Sequence, residues 1–172
     1  VPIRDPIVDY SQLDVNECLA DIEIIRRFIP QRHEMEQLSR VIYEDIERKI
    51  CVGCRDVGDD EFWVRGHMPG MPLMPGVIMC EAAAQLCCYF AQRYDLSGCD
   101  MIGFGGLESV RFRGMVRPGD CLVIAAELTK VRRGAMIVSR FQCAVGDSLV
   151  CEGNIKGIPL PLDELIESTQ AS

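Results

Sequence analysis

From Val77 to Phe90 only two residues are polar, Glu81 and Gln85. The run is rich in Ala, Leu and Met, which favours helix. Pro69, Pro72 and Pro75 precede it, so no helix begins before about Pro75. Proline is itself a good residue at a first turn. A helix that is apolar on every side is buried rather than laid on a surface. The rest of the chain must therefore wrap around it, and 172 residues suffice for one domain with a substantial core.

Four strand-like runs supply the wrapping: "MIGFGGLESVRFR", "DCLVIAAELTKV", "AMIVSRFQCAV" and "SLVCEGNIKGI". Turn signals at "RPGD", "RRG" and "VGDS" separate them, and short connections favour antiparallel neighbours. In "LVIAAEL", Leu122, Ile124, Ala126 and Leu128 line one face. "RVIYEDIERKICVGCRDV" predicts a further strand pair with a turn near Glu44 to Arg48. The expected fold class is α+β, a long central buried helix embraced by an antiparallel sheet. Upstream, Val15, Leu19, Ile22, Ile25 and Ile29 recur at helical spacing, and Pro30 ends the pattern. Asp21 can instead cap a shorter helix through Phe28. "DDEFWVRGH" reads as a short extended piece. Residues 1–20 form an expected N-terminal arm, extended or loose. Residues 21–160 form the expected domain, and 161–172 a tail that docks or frays.

Charge and cysteine content exclude several classes. A net charge of -8 argues against a general nucleic-acid binder. No segment is long and apolar enough to cross a bilayer, and the first residues lack the order of a signal peptide. Most of the ten cysteines sit inside apolar runs, as small buried hydrophobes of a reducing cytoplasm do. "CVGC" has metal-ligand spacing but no second ligand pair, so no metal site is expected.

Glu81 and Gln85 are four residues apart and share a helix face. A carboxylate in a buried helix is costly unless it is paired or hydrogen-bonded. Gln85 or an arginine can satisfy it structurally. His67 points to chemistry instead. Imidazole is the side chain best suited to move protons near neutrality. Three prolines keep His67 off the helix, so its loop either folds back to the helix start or serves another subunit's helix. Free N–H groups at Gly76 and Val77 can polarise a carbonyl. A base, an acid and a carbonyl-binding helix end suit removal of a proton α to a carbonyl with loss of a β leaving group.

"GHMPGMPLMPGVIMCEAAAQ" closely resembles the signature of the β-hydroxyacyl-acyl carrier protein dehydratases of bacterial type II fatty-acid synthesis, GHFPxxPxMPGVLxxEAxAQ. "IRRFIPQR" is similar to the family's helix leading to an "IPHR" segment, and "SVRFRGMVRPGD" to its "xxRFRxPVxPGD". The resemblance spans roughly residues 21–158. It implies the hot-dog fold and dehydration of a (3R)-hydroxyacyl-carrier protein to the trans-2-enoyl product, with no cofactor. It also implies roles: His67 as base toward C2, Glu81 as acid at the C3 hydroxyl, Gly76 N–H on the thioester carbonyl, and Gln85 orienting Glu81. The implied assembly is a homodimer with shared sites, in some members built further into hexamers. Glu81 stands where the dehydratase–isomerase branch usually has aspartate, which favours simple dehydration.

There are departures. The family's "RYPFLLVDRV" is here "RHEMEQLSRV", so polar Glu34, Glu36 and Gln37 replace apolar residues and bear on the tunnel and the dimer. His33 within it reads as a surface or structural histidine. Met68 replaces a phenylalanine. An acidic carrier protein requires a local basic patch on this acidic chain. Arg111, Arg113 and Arg117 are candidates, as are Arg132 and Arg133. The competing readings are a hot-dog thioesterase, a dehydratase of a specialised lipid or polyketide pathway, and a non-catalytic acyl-thioester binder.

Overall fold

The computed structural model describes residues 1–160. The expected tail, 161–172, lies outside the described residues. Within them the long apolar run is helix α2, Gly76–Arg93. Six strands surround it: β1 (Arg40–Asp45), β2 (Ile50–Asp56), β3 (Ile102–Phe112), β4 (Cys121–Arg132), β5 (Met136–Val145) and β6 (Ser148–Pro159). They form one sheet in the order β1-β2-β4-β5-β6-β3, every neighbouring pair antiparallel. This is the hot-dog arrangement, α+β.

Period-two alternation sorts the strand side chains between two cores. Leu122, Ile124, Ala126 and Leu128 of β4 pack with Leu86, Tyr89 and Phe90 of α2. The intervening Val123 and Ala125 face the other way and join Ile50, Val52 and Cys54 of β2. Each large apolar side chain buried in this way stabilises the fold by about 1.5–3 kcal/mol. Cys51 and Cys54 fall in different cores, on opposite faces of β2, so one ion cannot bind both. No cluster of metal-ligating side chains occurs among the described residues. No helix of the described residues is long and apolar enough to cross a membrane.

The N-terminal residues are docked rather than loose. Ile7 and Val8 close the second core, and the Ile7 N–H donates to Gln142 Oε1 (3.0 Å). The long helix permitted by the spacing from Val15 to Ile29 does not form. Helix α1 is only Ile22–Ile25, and Asp21 caps it by accepting from the Ile24 N–H (2.9 Å). Residues just before it serve the sheet instead, since the Leu19 N–H donates to Val41 O (2.9 Å) and the Val41 N–H to Ala20 O (2.8 Å). Edge pairing on β1 thus overrides helical periodicity. The expected extended piece before His67 is also corrected, because residues 62–66 form turns. The Glu61 carboxylate accepts from Arg55 (2.6 Å) and from the Gly58 N–H (3.2 Å), which curls the chain.

At the far edge β3 is unusual. It runs eleven residues and none of them is buried. Phe104, Leu107 and Phe112 are exposed on it. A long edge strand with exposed apolar side chains is a template for pairing with another chain.

Candidate active site

Helix α2 starts at Gly76 directly after Pro75, whose carbonyl accepts from the Ile78 N–H (2.9 Å). The first N–H groups of a helix have no partner within it, and at this end they belong to Gly76 and Val77. Val77 is exposed. The Phe112 ring lies over Gly76 so closely that a Cβ there would sit 2.6 Å from it. Glycine therefore admits the end of β3 to the helix start.

The loop before the helix fixes His67. Its N–H donates to Trp63 O (2.7 Å) and its carbonyl accepts from the Leu73 N–H (2.9 Å). The ring Nδ1 lies 2.8 Å from Leu73 O. A carbonyl only accepts, so Nδ1 carries the hydrogen and the neutral ring keeps its lone pair on Nε2. His67 is exposed.

Glu81 sits one turn into the helix and lines a cavity of about 100 Å³ with Ala84, Cys88, Ile137 and Ile155. His67 does not line that cavity. Gln85 is fully buried and its three hydrogen bonds fix its orientation. The Gln37 N–H donates to Gln85 Oε1 (2.9 Å). Gln85 Nε2 then donates to Met35 O (2.7 Å) and to Glu81 Oε1 (2.8 Å). With Oε1 engaged as an acceptor, Glu81 Oε2 is the oxygen left to hold or give a proton.

The polar segment 34–37 makes this clamp. Glu36 accepts from Arg26 Nε (2.6 Å) and Nη2 (2.9 Å). The guanidinium holds the Glu36 carboxyl below the usual carboxylate range. That ion pair ties the segment to α1, and the backbone of Met35 and Gln37 then meets Gln85. His33 lies in an exposed 3-10 turn of the same segment, as expected of a surface histidine. We expect Gln85→Leu to strand the Gln37 N–H and Met35 carbonyl. Thermal unfolding should read a loss of about 1–3 kcal/mol, and an unchanged melting temperature would refute the clamp.

Two thiols near the cavity are not nucleophiles. Burial pushes Cys87 up to about 11 and Cys88 up to about 12, so both stay neutral near pH 7. Of the candidate docking arginines, Arg113 pairs with Glu152 (2.5 Å). Arg111 and Arg117 are exposed and make no ion pair among the described residues. Arg133 pairs with Asp95 at the other end of the sheet.

A family model described as FabA-like domain matches residues 29–154. A protein of Alkalilimnicola ehrlichii named 3-hydroxyacyl-(acyl-carrier-protein) dehydratase FabZ is 35% identical over 149 residues, covering 85% of this chain and 95% of its own. One of the same name from Pelotomaculum thermopropionicum is 36% identical over 137 residues, covering 80% and 96%. Among solved structures, the dehydratase heterocomplex ApeI:P from Xenorhabdus doucetiae aligns with a TM-score of 0.67 at 16% identity, over 84% of this chain and 96% of that one. A sigma28-regulated virulence protein from Campylobacter jejuni aligns at 0.64 and 14%, over 87% and 96%. At such identities the two structures speak to the fold alone.

Proposed function

The chain belongs to the FabA-like domain family, and from that premise we propose that it dehydrates 3-hydroxyacyl thioesters carried on acyl carrier protein. The observation that carries the reading is the clamped Glu81 in the wall of a cavity, one turn from a free helix N-terminus. The thioester carbonyl accepts from the Gly76 and Val77 N–H groups, which acidifies C2. His67 Nε2 takes the C2 proton. Protonated Glu81 gives its proton from Oε2 to the C3 hydroxyl, the C3–O bond breaks, and water leaves as the double bond forms. A proton then passes from imidazolium to carboxylate to reset the site. The reaction draws on no cofactor.

A second copy of this chain completes the site. The open edge of β3 and its exposed Phe104 and Leu107 support pairing between copies. Pairing there sets the His67 loop of one protomer at the Glu81 cavity of its partner, which accounts for their separation within one chain. Arg111 and Arg117 offer the local positive charge for an acidic carrier protein. The ten free thiols fit a reducing cytoplasm.

Incubation with 3-hydroxyacyl-carrier protein tests the reading. Conjugated enoyl thioester should form without release of free thiol. Thiol release without enoyl product would assign a thioesterase instead.

A further inference from the structure

The cavity behind Glu81 is not uniformly apolar. Gln31 lines it, and its Oε1 is buried without a hydrogen-bond partner among the described residues. Ser139 lines it too and is 1% exposed. Ser139 is the polar member of a β5 row that otherwise faces α2 with Ile137, Phe141 and Cys143. Its hydroxyl meets the Cys87 thiol, a weak partner. A plain alkyl chain would leave the buried Gln31 oxygen unsatisfied, which is unfavourable.

The position of Gln31 along the cavity follows from the chain path. Residues 35–37 lie at Gln85, and Pro30 lies by Cys88 and Gln92. The segment therefore runs back along α2, and Gln31 falls at the Cys88 end. Cys88 is seven residues beyond Glu81, about 10 Å along the helix axis. A substrate whose C3 hydroxyl meets Glu81 brings a carbon several bonds further down its chain to Gln31.

Resting on the dehydratase reading, we propose that Gln31 is a specificity-determining residue and that the preferred acyl chain carries an oxygen, hydroxyl or ketone, several carbons beyond C3. The carboxamide accepts from a hydroxyl in one orientation and donates to a ketone in the other.

The test is a set of 3-hydroxyacyl-carrier protein substrates of one chain length, with an added hydroxyl or ketone walked along the chain, beside the unsubstituted chain. In the native protein the oxygenated chain should win in kcat/KM by about tenfold or more at one position. Gln31→Leu should bring that ratio to about one. The same variant should leave the short 3-hydroxybutyryl substrate unchanged, since that chain stops before Gln31, and this control also shows that the variant folds. Equal kcat/KM at every position, or a parallel loss on both chains in Gln31→Leu, would overturn the assignment. Binding of the corresponding thioether analogues, read by calorimetry, separates the two layers. Preference without turnover supports the Gln31 assignment and refutes the dehydratase reading, and turnover without preference does the reverse.

Discussion

His67→Ala should lower kcat for dehydration by about a thousandfold while the protein stays folded and associated. The size of the effect follows from the role. A positioned base contributes about 10²–10⁴-fold, and the Cys88 thiol of the Glu81 cavity is held neutral by burial and cannot replace it. The small structural effect follows from the surroundings. His67 is exposed, and among the described residues its side chain makes one hydrogen bond, to Leu73 O. Its backbone bonds to Trp63 and Leu73 survive the substitution. Losing one exposed bond costs at most about 1.5 kcal/mol. The measurements are enoyl formation at saturating substrate and size-exclusion chromatography. Retention of more than about a tenth of the activity would remove His67 from the chemistry.

Much of the framework was legible because it is written in hydropathy. Three prolines and an apolar run locate the start of α2 to within a residue, since proline forbids helix and burial demands one. Leu122, Ile124, Ala126 and Leu128 face α2, as strand alternation requires. Spacing misled where tertiary pairing competed. Leu19 fits a helical stripe, yet its backbone and that of Ala20 close the edge of β1. The site was legible in its residue types and not in its support. Glu34, Glu36 and Gln37 read as polar intrusions in an apolar segment. Here Glu36 anchors the segment to Arg26, and the groups that hold Gln85 are the N–H of Gln37 and the carbonyl of Met35. Backbone groups are common to every residue, so no side-chain pattern announces them. The unpaired Gln31 oxygen is hidden for a similar reason, because a missing partner is a property of the packed cavity.

Glu81→Ala should be as inactive as His67→Ala, and mixing the two should restore activity that neither possesses. Within one protomer His67 lies outside the cavity that Glu81 lines. If β3 of two copies pairs, each site takes its imidazole from one copy and its carboxyl from the other. A mixed dimer then holds one site with both substitutions and one with neither. Random exchange of equal amounts makes about half the dimers mixed, each with one intact site of two, so activity should approach about a quarter of native. Exchange is driven by mild denaturation and refolding of the mixture, with each variant treated alone as the control. A substitution that disrupts pairing, Leu107→Glu on the exposed edge of β3, should abolish the recovery and shift the native protein toward monomer. If the mixture stays as inactive as its parents although mixed dimers are shown by differential tagging, His67 and Glu81 serve sites within single chains, and the loop must fold back to the helix start.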